Sequence, residues 1–185
     1  MSIIPEDDLS DRLTNLSYVT LALIGTGGAS AHDLVDMHRR GAELYYYVAV
    51  SKLYAEPKRL EKLGYVRSRV EPGKTRERTV YTLTRKGAAA LRRFALQPPA
   101  PPRIQNEAIV KLISGDVVRD DRKLRDTLLT LRAELDDQAE RLADARLRAD
   151  DLSHRARYLA LTHDLGERLV RAQLEWLDEV ERELG

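Results

Sequence analysis

Basic side chains are concentrated in one stretch of the sequence, between Lys52 and Arg93. This stretch contains 13 lysines and arginines against 4 aspartates and glutamates, a net charge of +9. The whole chain of 185 residues has a net charge of only +1, so its charges are segregated. Lysine and arginine bind phosphate groups, and a basic surface of this kind is typical of proteins that bind polyanions. The stretch predicts such a surface, and a solvated basic face is the alternative.

The residue types that support enzyme chemistry do not form the required patterns. The chain has no cysteine, which excludes disulfides and thiolate sites. None of its 4 histidines has the spacing of a zinc motif, and Gly25–Gly28 lacks the continuation of a nucleotide-binding loop. These histidines are His32, His38, His154 and His163. We therefore expect no catalytic site, no metal and no cofactor.

The composition is typical of a helix-rich globular protein. Hydrophobic residues make up 43% of the chain, charged residues 33% and aromatic residues only 5%. The longest apolar run, from Val19 to Ile24, is interrupted by Thr20 and is too short to span a membrane. The amino end also lacks the basic and apolar regions of a signal peptide. We expect a cytoplasmic protein.

A proline-rich segment, Gln97–Arg103, divides the chain. It places four prolines within five positions, which neither a helix interior nor a central strand tolerates. It therefore predicts a stiff linker over residues 97–103, between a domain over residues 1–96 and a domain over residues 104–185. The charge divides there as well, because residues 1–97 sum to +5 and residues 98–185 to −4.

Helical patterns and turn signals give the order of elements expected in the first domain. Apolar residues recur at helical spacing from Leu13 to Ile24, and Ser30 then caps a second helix. A third helix is predicted over Ser51–Gly64, and a two-stranded hairpin within residues 65–83 precedes a fourth helix. Three helices followed by a hairpin is the order of a winged helix-turn-helix domain. The expected fold class is mainly α with a small β-hairpin wing, joined to a helical dimerisation domain.

The third helix and the hairpin carry the candidate DNA contacts. In a winged helix-turn-helix domain the third helix enters the major groove, and the hairpin reaches the backbone or the minor groove. Lysine and arginine supply charge, while serine and tyrosine hydroxyls fix the register on phosphates. An exposed polar helix face and a basic tip that aids solubility are the alternatives. The predicted DNA-binding residues are Ser51, Lys52, Tyr54, Lys58 and Arg59 on the third helix, and Lys74, Arg76 and Arg78 on the hairpin.

The second domain has the spacing of helices that pack along a seam. Leucines, alanines and Gln138 alternate steps of four and three residues between Leu124 and Leu152, which is the heptad spacing of coiled coils. A second stripe runs from Leu161 to Val180, and the break between the two helices is predicted at Asp150–Ser153. We expect these seams to pack against a second copy of the chain in a homodimer. Antiparallel packing within one copy is the alternative.

Four segments of the sequence resemble the PadR family of bacterial transcriptional regulators. They follow one another in the family's order and spacing over roughly residues 10–95. The resemblance implies a dimeric winged-helix repressor with a long helical carboxyl-terminal domain, an inverted-repeat operator in double-stranded DNA, and a small, often aromatic, effector. The segments are Leu13–Ile24, Ser51–Tyr54, Lys58–Val66 and Arg76–Gly87.

The third helix departs from the family pattern at two positions. Ala55 stands where the family usually has proline, and Pro57 stands where it usually has leucine. A proline here leaves two outcomes open, because the helix either forms with a missing hydrogen bond or begins later than Ser51. Before this helix, Tyr45–Tyr47 replaces the family's usual tryptophan or phenylalanine and keeps an aromatic anchor.

Aromatic and polar side chains provide candidates for an effector site. Trp176, the only tryptophan, lies on an apolar stripe, so packing is the alternative to stacking on a ligand. The resemblance to the family suggests that Tyr18, Tyr158 and His163 supply polar contacts to such a ligand. Two other functions stay open: a nucleoid-type DNA binder without sequence specificity, and a helical adaptor that binds protein.

Overall fold

The structure, a computed structural model, describes residues 12–72, 77–149 and 152–185. The chain divides into two compact units, Met1–Pro99 and Ala100–Gly185, and the division falls within the proline-rich segment. Each unit has its own helices and its own buried residues.

The amino-terminal unit combines α-helices with a small antiparallel sheet. In chain order its elements are α1 (Asn15–Ile24), β1 (Ala29–Ser30), α2 (Ala31–Arg40), a short 3-10 helix (Ala42–Leu44), α3 (Val50–Lys62), β2 (Val66–Glu71), β3 (Arg78–Leu83) and α4 (Arg85–Ala95). The strand β3 lies between β1 and β2 and is antiparallel to both. This arrangement confirms the predicted winged-helix fold, mainly α with a small β-hairpin wing.

Sequence analysis missed the short strand β1. Its two residues pair with β3, Ala29 with Tyr81 and Ser30 with Val80. Gly28 precedes it with a φ of +77°, and a Cβ there would lie 3.0 Å from the Tyr81 carbonyl oxygen. A strand of two residues leaves no alternating pattern in the sequence, so only the glycines before it mark the place.

Polar side chains cap the amino ends of the first two helices. The Ser30 hydroxyl accepts a hydrogen bond from the Asp33 amide at 3.2 Å, and the Asp33 carboxylate accepts one from the Ser30 amide at 2.9 Å. Thr14 and Ser17 form the same reciprocal box at the start of α1. Each box satisfies backbone N–H groups that have no partner within the helix. The predicted cap at Ser30 is therefore confirmed.

The core of the amino-terminal unit lies between its first three helices and the sheet. Its buried members are Leu21, Ile24, Ala29, Leu34, Leu60, Val66 and Tyr81. Burial of these side chains provides the main free energy that fixes α3 against α1 and α2. The first turn of α4 lies close to Tyr65, the residue before β2. A Cβ added to Gly87 in this turn would lie only 2.0 Å from the Tyr65 carbonyl oxygen.

Helix α3 forms in spite of the proline inside it. It begins at Val50, before Ser51, and continues through Pro57 to Lys62. Pro57 has no N–H, so the backbone hydrogen bond to the carbonyl four residues earlier is missing. Of the two outcomes that the sequence left open, the structure shows the complete helix with one hydrogen bond lost.

The carboxyl-terminal unit consists of helices joined by short loops. These are α5 (Glu107–Ile113), α6 (Gly115–Val118), α7 (Asp121–Leu129), α8 (Leu131–Ala149) and α9 (Ala156–Glu183). The helices α8 and α9 are antiparallel, because Arg146 pairs with Glu167 at 3.0 Å and Arg132 pairs with Asp178 at 2.6 Å. The predicted break at residues 150–153 falls between them, and its residues 150 and 151 lie outside the described residues.

The heptad seam of α7 and α8 is buried within a single copy of the chain. Leu128, Leu135 and Leu142 are at most 3% exposed. Helix α9 packs along α8 and contributes Val170 and Leu177, which are also buried. The expectation that this seam packs against a second copy is therefore corrected, because α9 supplies the partner helix within the chain. Antiparallel packing within one copy thus covers this seam, and the homodimer stays a prediction.

Helix α9 also has an apolar face that is exposed in the single copy. Leu161 and Leu165 are 69% and 50% exposed. The predicted stripe from Leu161 to Val180 is therefore not the internal seam, and only its end is covered, with Val180 buried and Trp176 half-buried. We call the exposed part the outer stripe, and it consists of Tyr158, Leu161, Leu165, Leu169 and Ala172.

Candidate nucleic-acid interface

Helix α3 has a buried side and an exposed side. Leu53 and Leu60 are completely buried, and Glu56 and Pro57 are buried beside them. These four residues recur at the spacing of one helix face, so the exposed residues project from the opposite face. That face, which we call the cationic face, carries Ser51, Lys52, Tyr54, Ala55, Lys58 and Lys62. It brings together four of the predicted DNA contacts.

The charge of the cationic face is not neutralised within the part of the chain that the structure describes. Among those residues, Lys52, Lys58 and Lys62 form no salt bridge. The residue before helix α3, Ala49, provides no side-chain cap, and the first turn of the helix contains no acidic residue. The partial positive charge of the helix amino terminus therefore adds to that of the lysines. Such a surface attracts phosphate groups.

Arg59, another predicted DNA contact, is about one-third exposed, and its guanidinium is bonded to Glu56 and to the start of α1. Its Nε donates to one Glu56 carboxylate oxygen and its Nη2 to the other, each at 3.1 Å. The same Nη2 donates to the Ser17 hydroxyl at 2.9 Å and to the Arg12 carbonyl at 3.2 Å. Sequence analysis missed Glu56 as its partner, although the three-residue spacing of the two on one helix was a signal.

The wing contributes one described residue to the predicted site. Arg78, at the start of β3, is about half exposed and lies 3.4 Å from the Asp33 carboxylate and 3.6 Å from that of Glu71. These carboxylates offset much of its charge. The predicted contacts Lys74 and Arg76 lie outside the described residues.

Three exposed side chains near this surface were not predicted as contacts. Arg67 and Arg69 lie two residues apart on β2, hence on one face of the strand. Arg67 donates to the Thr82 hydroxyl at 3.3 Å, and Arg69 pairs with Glu71. Tyr47, just before α3, is 79% exposed. The alternation of arginines along the strand was a signal for the first two.

Hydrogen bonds tie the wing to the end of α3. The Glu61 carboxylate accepts a hydrogen bond from the Ser68 amide of β2 at 2.8 Å. The Thr84 hydroxyl donates to the Gly64 carbonyl at 2.7 Å, and the Lys86 amine donates to the Leu63 carbonyl at 2.7 Å. Burial, and to a lesser extent the Glu61 charge, raises the pKa of the Tyr81 hydroxyl in the adjacent strand. These contacts fix the wing relative to the cationic face.

The candidate effector residues belong to both units, and those on α9 are spread along the helix. Tyr18 belongs to the amino-terminal unit, where its ring stacks on Phe94 at 4.0 Å. Tyr158 and Trp176 lie on α9 about 27 Å apart along its axis, since each residue of a helix rises about 1.5 Å. His163 lies between them and is buried, and burial lowers its pKa below the ordinary value.

The described residues contain neither a metal-binding cluster nor a membrane-spanning helix. No group of three or more histidine, aspartate or glutamate side chains there has the arrangement of a metal site. No helix in residues 12–72, 77–149 and 152–185 has the length and apolar character needed to cross a membrane.

The fold and the cationic face define a winged helix-turn-helix protein with a separate helical unit. Comparison with known families agrees. Residues 35–93, which include the cationic face, match the model of the transcriptional regulator PadR-like family. None of the curated protein sequences matches the chain significantly.

Solved structures with the same fold cover almost the whole chain. Bacillus subtilis PadR in complex with operator DNA is similar over 93% of this chain and 100% of that chain, with 20% identity and a TM-score of 0.69. The PadR-like transcriptional regulator BC1756 from Bacillus cereus covers 100% and 99%, with 17% identity and a TM-score of 0.75. Bacillus subtilis PadR in complex with p-coumaric acid covers 94% and 98%, with 17% identity and a TM-score of 0.63. At these identities the likeness shows a shared fold.

Proposed function

We propose that the protein is a sequence-specific DNA-binding transcriptional regulator, a homodimeric repressor that responds to a small-molecule effector. The observation that carries this proposal is the cationic face of α3, whose lysines have no acidic partner in the described residues. The face lies on the third helix of a PadR-like domain, and a related structure contains operator DNA. In winged helix-turn-helix proteins this helix enters the major groove.

The dimensions and chemistry of α3 suit that groove. Its 13 residues extend over about 20 Å, and the major groove is about 12 Å wide, enough to admit an α-helix. Lys52 and Lys58 would bind phosphates and position the helix, while Ser51 and Tyr54 would offer hydroxyls to base edges or phosphates. In this proposal Lys74, Arg76 and Arg78 of the wing add contacts to the backbone.

The proposal assigns one role to each part of the chain. Residues 1–96 bind DNA, residues 97–103 link the two domains, and residues 104–185 form the dimer. The acidic balance of the second half, a net charge of −4, keeps it away from phosphates. A repressor of this kind acts on DNA in the cytoplasm and needs neither catalysis nor a cofactor.

The outer stripe of α9 supports the dimer. Its residues recur at steps of three and four residues and are exposed in a single copy. A two-fold axis would place the same stripe of a second copy against it, so that one apolar surface covers the other. A dimer presents two copies of α3, which read two half-sites about one helical turn, roughly 34 Å, apart.

Charge placed in the outer stripe tests the dimer. Leu161→Glu combined with Leu165→Glu should convert the protein to a monomer in sedimentation equilibrium and leave its helix content unchanged. Arg171→Glu, an exposed residue of α9 outside the stripe, is the control and should stay dimeric. A stripe variant that remains dimeric would place the interface elsewhere.

Selection of bound sequences from a random pool of duplex DNA tests the specific-regulator proposal. An inverted repeat is the expected result, with affinity about 10³-fold or more above that for unrelated DNA. An enriched pool without a motif would indicate a nucleoid-type binder, and no retained DNA would favour an adaptor that binds protein. Transcription in vitro from a promoter containing the repeat then shows whether the protein represses.

Paired and unpaired lysines give a matched test of the interface. Lys52→Ala with Lys58→Ala should weaken binding and lower the slope of log affinity against log salt by roughly 4, because a dimer presents each lysine twice and each phosphate contact contributes about 0.9. Lys111→Ala with Lys123→Ala is the control, since these exposed lysines pair with Glu107 and Asp120 in the helical unit. An equal loss in both variants would refute the assignment to α3.

A small aromatic effector completes the proposal, and a related structure contains p-coumaric acid. A ligand releases DNA only if it binds one geometry of the dimer better than the other. Titration of p-coumaric acid and similar aromatic acids into the complex with the selected duplex should release the DNA and change the fluorescence of Trp176. Unchanged DNA affinity throughout the series would leave a repressor without an aromatic effector.

A further inference from the structure

The carboxylate of Glu56 is buried on the inner side of α3, with both of its oxygens engaged. One oxygen accepts hydrogen bonds from the Ser17 hydroxyl at 2.7 Å and from Arg59 Nη2 at 3.1 Å, and the other accepts one from Arg59 Nε at 3.1 Å. Ser17 is completely buried and Glu56 is 7% exposed. A buried carboxylate without such partners would be strongly destabilised, so the three side chains form one interdependent unit.

This unit connects α3 to the first turn of α1. Ser17 belongs to the box that begins α1, in which the Thr14 amide donates to the Ser17 hydroxyl at 2.9 Å. Arg59 also donates to the carbonyl of Arg12, just before that box. The start of one helix and the middle of the other are thus held by directional bonds as well as by apolar packing.

The unit also lies where the backbone of α3 is weakest. Pro57 removes one hydrogen bond of the helix, and the side chains of Glu56 and Arg59 form their bridge across this residue. Lys58, on the cationic face, lies between Pro57 and Arg59 in the chain. Any displacement of this turn would therefore move the cationic face itself.

We propose that Glu56 and Arg59 are positioning residues, which fix the orientation of α3 and thereby determine how well the protein discriminates its operator from other DNA. This inference rests on the proposed function, because it requires that α3 contacts DNA. It assigns Arg59 a role different from direct contact. Base contacts require close alignment of donors and acceptors, whereas phosphate contacts tolerate displacement, so loss of the bridge affects specific binding selectively.

The test compares binding to two duplexes of about 30 base pairs, long enough for two half-sites about one turn apart. One carries the sequence selected by the wild-type protein and the other a shuffled sequence. Glu56→Gln and Arg59→Gln should each lower the affinity for the selected duplex about tenfold or more, the effect of losing a good base contact. The affinity for the shuffled duplex and the salt slope should stay at wild-type values, and the double variant should be no weaker than either single variant.

Arg59→Lys separates positioning from direct contact, and its milder change keeps the fold. Lysine retains the positive charge but cannot form the two-pronged bridge to Glu56. Positioning predicts that Arg59→Lys loses specificity as Arg59→Gln does. If Arg59 instead contacts phosphate directly, the Arg59→Lys protein should bind both duplexes like wild type. The Arg59→Gln protein should then bind both duplexes equally more weakly, and its salt slope should fall by about 2. That result would overturn the inference. A selection in which the wild-type protein retains no DNA would instead refute the proposed function.

Discussion

Helices α3 and α9 each bury one face and expose the other, yet their exposed faces differ. On α3 the exposed lysines have no carboxylate partner in the described residues. On α9 Arg168 pairs with Asp164, and Glu167 and Asp178 neutralise arginines of α8. Helix α9 also exposes the apolar outer stripe. The difference teaches that charged residues indicate a binding surface only when the structure leaves them unpaired, and that an exposed apolar face indicates a protein partner.

A substitution on the inner face of α9 should produce the largest change in stability. Leu177 is completely buried, and Leu177→Ala should lower the free energy of unfolding by about 3 kcal/mol, through lost burial and the cavity that remains. Urea denaturation followed by the fluorescence of Trp176 measures this change. Leu147→Ala, at a position of α8 that is 77% exposed, is the control, with a change below about 0.5 kcal/mol. Equal effects would remove the distinction between inner and outer faces.

Charge reversal compares the two helices directly. Lys58→Glu should lower the affinity for the selected duplex more than about tenfold, because a dimer then loses two phosphate contacts and gains two repulsive charges. Arg168→Glu on α9 makes the same change in net charge at a paired site and should leave the affinity within about twofold. Fluorescence anisotropy at about 0.15 M salt measures both. An equal loss would mean that net charge, not the cationic face, governs binding.

The pH dependence of stability tests the buried side of α9 at His163. Burial lowers the pKa of His163, an effect that Arg146 reinforces and Glu167 opposes. The unfolded chain therefore takes up a proton at higher pH than the folded chain does. The free energy of unfolding should be constant above about pH 6.5 and fall below it, by at most about 1.4 kcal/mol per pH unit, until the lowered pKa is reached.

Two histidine variants show which residue causes the pH dependence of stability. His163→Gln should abolish this component of the pH dependence in urea denaturation between about pH 7.5 and pH 5. His154→Gln, at an exposed position outside the helices, should retain it. A dependence that survives His163→Gln would assign it to another group.

Removal of an ion pair between α8 and α9 should produce the smallest change in stability. Arg132 lies 2.6 Å from Asp178, and this hydrogen bond is the main reason that the pKa of Arg132 is raised. Both side chains are partly exposed, so Arg132→Gln should cost only about 0.5 kcal/mol, and the difference should shrink in 1 M salt. A loss several times larger would show that surface pairs, rather than the buried seam, hold the two helices together.

The elements of the amino-terminal unit followed from local patterns. The box of Ser30 and Asp33 and the helical spacing from Leu13 to Ile24 act within a few residues, so the sequence alone predicted these helices. The orientation of Arg59 did not follow, because its partner Ser17 lies 42 residues away. The strand β1 was missed for the same reason, since only pairing with β3 forms it.

The carboxyl-terminal unit shows the same limit at a larger scale. The heptad spacing correctly predicted helices with an apolar face, but spacing is silent about which helix covers that face. The structure places α9 of the same copy there and leaves the outer stripe exposed.

By itself, the sequence determined the helices, their caps, the winged order and the concentration of positive charge, because each depends on neighbours close in the chain. The tertiary structure decided which cations remain unpaired and which apolar stripe is covered. Both depend on residues far apart in sequence that only packing brings together.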